Sequence, residues 1–196
     1  MASKSQNTRV DFTGFVPQQL IDVNSPTQTL AWEVVTGMAI ATGAVQGKRF
    51  YLSEAQAQQL SGGLCHEGWY RIVQVDAGAT AANIAFGYVG AQLSVADGPD
   101  VVTDASNVLT LGADPVVFLG PVTPGNFTIA QDAGTATLAV TASQNVAIGD
   151  MLENTTAGTV SITATFTAAT VGLALATSDS GYVALVPVRL QPAFGE

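Results

Sequence analysis

The chain has 196 residues and a hydrophobic fraction of 47%, which is enough for one cored domain, with or without an attached arm. Charged residues make up only 11%, less than half of the roughly 25% that is usual for soluble domains. The net charge is −9, and no basic residue lies between Arg71 and Arg189. These values exclude direct binding of nucleic acid or of an anionic membrane surface, because both require clustered Lys and Arg.

Residues 1–30 are predicted to form an extended N-terminal arm, because Pro17 and Pro26 interrupt any regular element. The alternative for about the first eight residues is a disordered tail. Spaced apolar residues along the arm are its candidate contacts with another protein surface: Val10, Phe12, Phe15, Val16, Leu20, Ile21 and Val23. We find neither a secretory signal nor a membrane-spanning run, and therefore expect synthesis in a cytoplasm.

A β-rich domain is predicted over residues 31–196. Short apolar runs within residues 31–52, punctuated by glycines, indicate two short strands. One helix of about two turns is predicted over residues 53–60. There, Ser53 and Gln56 have the spacing of a capping box, and Gly62-Gly63 ends the pattern.

Beyond Gly68 the sequence alternates between strand and turn patterns almost to its end. Strands are predicted in WYRIVQVDAG, NIAFGYVGAQLSVADG, VLTLG, PVVFLG, NFTIAQDAG, TATLAVTA, NVAIGDML, GTVSITATFTA, TVGLALA and YVALVPVRL, with a type II turn at Thr-Pro-Gly-Asn, residues 123–126. Strands at intervals of roughly 8–12 residues predict an all-β fold, either a small β-sandwich or a barrel.

The stretch SITATFTA, residues 161–168, alternates strictly between hydroxyl-bearing and apolar side chains. We predict a half-buried strand whose apolar face, including Phe166, packs on the core. Most aromatic residues in strand-like runs are likewise predicted to be buried: Trp32, Trp69, Tyr70, Phe86, Tyr88, Phe118, Phe127 and Tyr182. The alternative for Trp69-Tyr70 is a platform that stacks on a sugar or a base.

No constellation of catalytic residues stands out, so we expect neither an enzyme nor a cofactor. The one histidine, His66, directly follows the one cysteine, Cys65, and neighbours on a strand face opposite ways. An alternative ion site is the acidic loop that carries Asp97, Asp100 and Asp104, although its spacing differs from that of a calcium-binding loop. The simpler interpretation is a solvated loop.

Short polar and small side chains must cover most of the surface, since so few residues are charged. Such side chains lose little conformational entropy and little hydration when another protein packs against them. Interface cores are similarly poor in Lys, Glu and Asp. We therefore predict that the chain is packed among copies of itself or other partners. The alternative is a soluble monomer kept apart from its copies by net charge.

Residues 115–140, PVVFLGPVTPGNFTIAQDAGTATLAV, show a pattern of apolar strand, Thr-Pro-Gly turn, strand, glycine and small-residue strand. In this pattern the C-terminal part of the sequence resembles the capsid cement, or head decoration, proteins of tailed bacteriophages. NVAIGDMLENTTAGTV resembles a second element of that family. TVGLALATSDSGYVALVPVRL resembles its closing strand pair, which ends here in Arg189-Leu190.

The resemblance implies a non-enzymatic virion protein that binds the outer surface of an icosahedral head as a homotrimer. Its partners would be the major capsid protein and its own copies, with no direct contact to nucleic acid or membrane. The spaced apolar residues of the arm would then contact the capsid or another subunit, and the protein would be made in the host cytoplasm. A second hypothesis is a phage fibre, spike or tail component, or another β-rich adhesion module. A third is a hydrolase that uses carboxylates. Residues 1–110 carry no such resemblance.

Overall fold

The computed structural model describes residues 49–61, 64–92, 101–104, 115–167 and 169–190. These residues form the following elements: β1 (Arg49–Leu52), α1 (Glu54–Ser61), β2 (Gly68–Val75), a 3-10 turn (Ala81–Asn83), β3 (Val89–Gln92), β4 (Val101–Asp104), β5 (Pro115–Phe118), β6 (Phe127–Val140), β7 (Met151–Asn154), β8 (Val160–Thr163), β9 (Thr170–Ala174) and β10 (Ala184–Leu190). Over these described residues, the predicted all-β fold with at most one short helix is confirmed. The predicted arm, residues 1–30, lies outside the described residues.

Strand pairings close two circuits, which we call the first and second barrels. In the first barrel, β2 pairs with β4, β4 with β3, β3 with β5, β5 with β6, and β6 returns to β2. In the second barrel, β6 pairs with β10, β10 with β9, β9 with β7, β7 with β8, and β8 pairs again with β6. The sequence predicted either a sandwich or a barrel, and these closed circuits correspond to small barrels.

The long strand β6 belongs to both barrels. Its first half pairs with β2 and β5, and its second half with β10 and β8. The sequence predicted two strands here, NFTIAQDAG and TATLAVTA, which meet at Gly134. Gly134 does have a φ of +100°, but the chain continues as one strand of 14 residues. The buried Gln131 side chain spans this irregularity by donating to the Thr135 carbonyl oxygen at 2.7 Å.

Buried apolar side chains form two clusters. Val73, Val75, Ile84 and Phe118 belong to the first, which lies in the first barrel. The second joins alternating aliphatic residues of β6 and β10 to residues of β3 and β5: Ala136, Leu138, Val140, Ala184, Val186, Val188 and Leu190, with Val89, Ala91 and Val117. Complete burial of one large aliphatic or aromatic side chain stabilises the fold by roughly 1.5–3 kcal/mol. Along β10 the burial alternates with a period of two, as expected for a strand with one buried face.

Local capping and turn predictions are also confirmed. The Ser53 backbone N–H donates to Gln56 Oε1 at 3.1 Å, so the capping box begins α1 as predicted. In the Thr-Pro-Gly-Asn turn, the Asn126 N–H donates to the Thr123 carbonyl oxygen at 3.1 Å. Gly125 has a φ of +90°, the conformation that the third position of a type II turn requires.

The predicted strand over residues 161–168 is wrong in its second half. β8 ends at Thr163, whose hydroxyl donates to the Thr165 carbonyl oxygen at 3.0 Å and accepts from the Thr165 N–H at 3.4 Å. Such local bonds replace a strand ladder with a turn. Phe166, predicted to be in the core, is therefore 40% exposed, while Ile162 does pack against the second core.

Candidate interaction surfaces

Exposed aromatic rings meet on the outer side of β1 and β2. Tyr51 and Trp69 are cross-strand partners whose ring centroids lie 5.7 Å apart, at an interplanar angle of 69°. Their exposed fractions are 51% and 43%, so the prediction that Trp69 is buried is wrong. The Arg49 guanidinium lies over the Trp69 ring, 5.2 Å from its centroid. We call Arg49, Tyr51 and Trp69 the aromatic cluster.

An ion-pair network holds the arginine of this cluster. Arg49 on β1 lies directly opposite Arg71 on β2. Without a counter-charge, the two guanidinium groups would repel each other. Asp132 provides that charge from the neighbouring β6, with Oδ2 lying 3.0 Å from Arg49 Nε and 3.8 Å from Arg71 Nε. It lies where the β2–β6 register shifts, since Tyr70 pairs with Gln131 while Trp69 pairs with Ala133. The bulge thus directs a carboxylate toward both guanidinium groups.

The tyrosine of the cluster is oriented by Glu67. The Tyr51 hydroxyl donates to Glu67 Oε2 at 3.2 Å. Partial desolvation, together with the hydrogen bond and the charge of Glu67, raises the pKa of Tyr51 above its ordinary value of 10.0. The phenol therefore stays neutral and keeps its proton near pH 7. Trp69 and Tyr51 present apolar surface together with a positioned polar group.

The helix α1 is tied to the same region through Glu54. Its Oε2 accepts from the Glu67 N–H at 2.7 Å, and its Oε1 lies 3.0 Å from His66 Nδ1. The Glu67 hydrogen bond is the largest influence on this carboxyl group and lowers the pKa of Glu54 below 4.5. His66 thus lies in a loop that packs beside α1. Cys65 next to it is buried.

A second exposed apolar surface lies on the outside of β9 and β10. Core residues of β10 alternate with Leu185, Pro187 and Arg189, which face outward. On β9, Leu173 lies opposite Arg189, and the Leu175 N–H donates to the Pro187 carbonyl oxygen at 2.8 Å. Leu175 and Leu185 are 37% and 45% exposed. We call Leu173, Leu175, Leu185 and Pro187 the leucine face.

Of the acidic loop considered as an ion site, only Asp104 falls among the described residues. Asp104 is buried, and its carboxylate accepts from Asn83 Nδ2 at 2.8 Å and from the Thr80 N–H at 3.2 Å. The described part of the chain contains no group of three or more His, Cys, Asp or Glu residues arranged for a metal ion. Asp104 therefore ties the 3-10 turn to β4, and Asp97 and Asp100 lie outside the described residues.

The predicted contact residues of the arm cannot be placed, because all of them precede residue 49, where the description begins: Val10, Phe12, Phe15, Val16, Leu20, Ile21 and Val23.

The aromatic cluster was not predicted as a unit from the sequence. Tyr51 and Trp69 are separated by α1, and only the β1–β2 pairing brings them together. The described residues also include no helix with the length and hydropathy needed to cross a bilayer.

Comparisons with known proteins give little additional information. No protein-family model matches the chain. No curated protein matches it either. Among solved structures, the chain is similar to the N base of head fiber gp8.5 in bacteriophage phi29, with 15% identity and a TM-score of 0.42. That match covers 65% of this chain and 97% of the other. A likeness this low carries no conclusion about family or partners.

Proposed function

We propose that the protein is a structural virion component that binds the outside of an icosahedral phage head as a homotrimer and stabilises the lattice of the major capsid protein. One observation carries the proposal: the described chain exposes two separate surfaces of large apolar side chains. The aromatic cluster belongs to the first barrel and the leucine face to the second. A protein that bridges subunits needs more than one contact surface, whereas a single ligand site needs one.

The composition of the aromatic cluster suits a protein interface. Trp, Tyr and Arg are the residue types that dominate binding energy in protein–protein contacts. Asp132 and Glu67 hold the Arg49 and Tyr51 side chains in position before any partner arrives. Preorganisation of this kind lowers the entropy that binding costs. We therefore assign the aromatic cluster to contact with the major capsid protein.

Homotrimeric assembly would strengthen weak individual contacts. Three copies that bind neighbouring capsid subunits act at a high effective concentration, so modest affinities combine into stable attachment. Binding only to the assembled lattice then stabilises that lattice by mass action. The acidic chain, with its net charge of −9, has no need to contact the packaged genome. The resemblance of residues 115–140 and 146–190 to head decoration proteins points in the same direction.

The proposal is tested by co-sedimentation of the purified full-length chain with DNA-free capsids of the phage that encodes it. We expect wild-type protein to pellet with capsids and Trp69→Ser to pellet at least roughly tenfold less, since loss of a central interface Trp removes about 2 kcal/mol or more. Tyr182→Ser is the matched control, because Tyr182 is 62% exposed and lies in the turn before β10. Absence of wild-type protein from the pellet would contradict the proposal.

A fibre, spike or tail component, or another adhesion module, is the second candidate. Two exposed apolar surfaces on a β-rich chain also suit assembly into an elongated spike. Electron microscopy of particles with labelled protein separates the two functions. Copies spread over the whole head support decoration, whereas label confined to a tail or to one vertex supports the alternative.

A further inference from the structure

The leucine face has properties that point to a particular occupant. Leu175 and Leu185 are 37% and 45% exposed, and Leu173 and Pro187 lie beside them at adjacent register positions. Arg189 is the only basic residue of the sequence beyond Arg71, and it lies within this surface, opposite Leu173. A fitting occupant is therefore an apolar segment that also carries a carboxylate.

We propose that residues 10–23 of a neighbouring copy bind the leucine face. This inference rests on the proposed homotrimer and names the contact that holds it together. Within this segment, VDFTGFVPQQLIDV, the apolar residues of the predicted arm are interspersed with small and polar ones. Asp11 and Asp22 are its charged residues, and either carboxylate can pair with Arg189. Apolar content and charge thus both match the surface.

Chain length permits the contact between copies. The segment ends at Val23, and the described structure begins at Arg49 on β1, which pairs with β2 of the first barrel. Residues 24–48 can extend over at most about 85 Å at ~3.3 Å per residue, and residues 24–30 of the predicted arm alone over about 26 Å. The longer span exceeds, and the shorter one nearly equals, the roughly 30 Å diameter of a small domain. The segment can therefore reach across to the next copy, and an exchange of segments around a threefold axis would close a trimer without leaving an unpaired leucine face.

Cross-linking between two different full-length chains tests the contact. One chain carries Val16→Cys and the other Leu175→Cys; the two are co-expressed and treated with a short bis-maleimide. We expect a covalent heterodimer, formed at least roughly a hundredfold faster than between unassociated chains, because bound segments have millimolar effective concentrations. Phe166→Cys replaces Leu175→Cys in the control, since Phe166 is similarly exposed but lies in the β8–β9 turn. The native Cys65 is buried, and unmodified chains measure its background.

Three results would overturn the inference: no heterodimer, equal cross-linking at Phe166 and Leu175, or cross-linking only when both cysteines are in the same chain. Capsid co-sedimentation of the same variants distinguishes this inference from the proposed function. Retained capsid binding without the cross-link overturns the segment contact alone. Cross-linked oligomers that fail to pellet with capsids overturn the proposed function and leave the segment contact supported.

Discussion

The passage of β6 from one barrel to the other depends on the absence of a side chain at Gly134, and Gly134→Ala tests that dependence. Gly134 has a φ of +100°, and a Cβ there would lie 2.8 Å from both the Glu67 carbonyl oxygen and Gly68 Cα. The unfavourable backbone conformation costs roughly 1–2 kcal/mol. Displacing the backbone atoms costs a further ~1–3 kcal/mol. We expect the free energy of unfolding to fall by roughly 2–5 kcal/mol in urea titrations.

Gly125→Ala is the matched control for this substitution. Gly125 has a similar φ of +90°, but a Cβ there would have no neighbour within 4 Å. Gly125→Ala should therefore lower the free energy of unfolding only by the cost of the unfavourable backbone conformation, roughly 1–2 kcal/mol. The difference between the two variants isolates the close approach of β2 to β6. Equal losses, or a smaller loss for Gly134→Ala, would refute the reasoning that strand packing at this point requires glycine.

Three further predictions concern anchoring and assembly. Asp104→Ala leaves the Asn83 amide and a backbone N–H without their acceptor, and thermal unfolding should reveal a loss of about 1–3 kcal/mol. The hydrogen bond from the Glu67 N–H lowers the pKa of Glu54. The ionised Glu54 carboxylate therefore stabilises the fold above pH 4.5, and this contribution to the free energy of unfolding is lost as the pH falls through the lowered pKa. Glu54→Gln should abolish this small dependence, below ~1 kcal/mol, in urea titrations across that range. Deletion of residues 1–23 should weaken capsid attachment in co-sedimentation; unchanged attachment would contradict a role for the arm.

Local signals in the sequence predicted much of the fold. The capping box at Ser53, the type II turn at Gly125 and the alternation around Val186 and Val188 each depend on residues close in sequence. Closure of the barrels depends instead on distant parallel pairings, such as that of Val140 with Val160. An alternating pattern does not specify which distant strands pair, so the sequence was equally compatible with a sandwich and with a barrel.

The exposed surfaces were harder to predict than the core. Hydrophobic alternation identifies two faces of a strand, but it does not reveal whether a second layer covers the outer one. Trp69, Phe166 and Tyr182 were therefore predicted to be buried, whereas the structure exposes all three. Trp69 lies on the outer side of the β1–β2 pair, Phe166 follows a strand that ends early at Thr163, and Tyr182 lies in the bend before β10. These errors concern tertiary cover and the places where strands begin and end.

Electron cryomicroscopy of particles containing the full-length chain distinguishes head decoration from the alternative functions. We predict trimeric density on the outer surface of the head, with the aromatic cluster facing the major capsid protein. Particles with density for this chain only in a tail or at a single vertex would contradict it, as would heads that carry no copies of the chain.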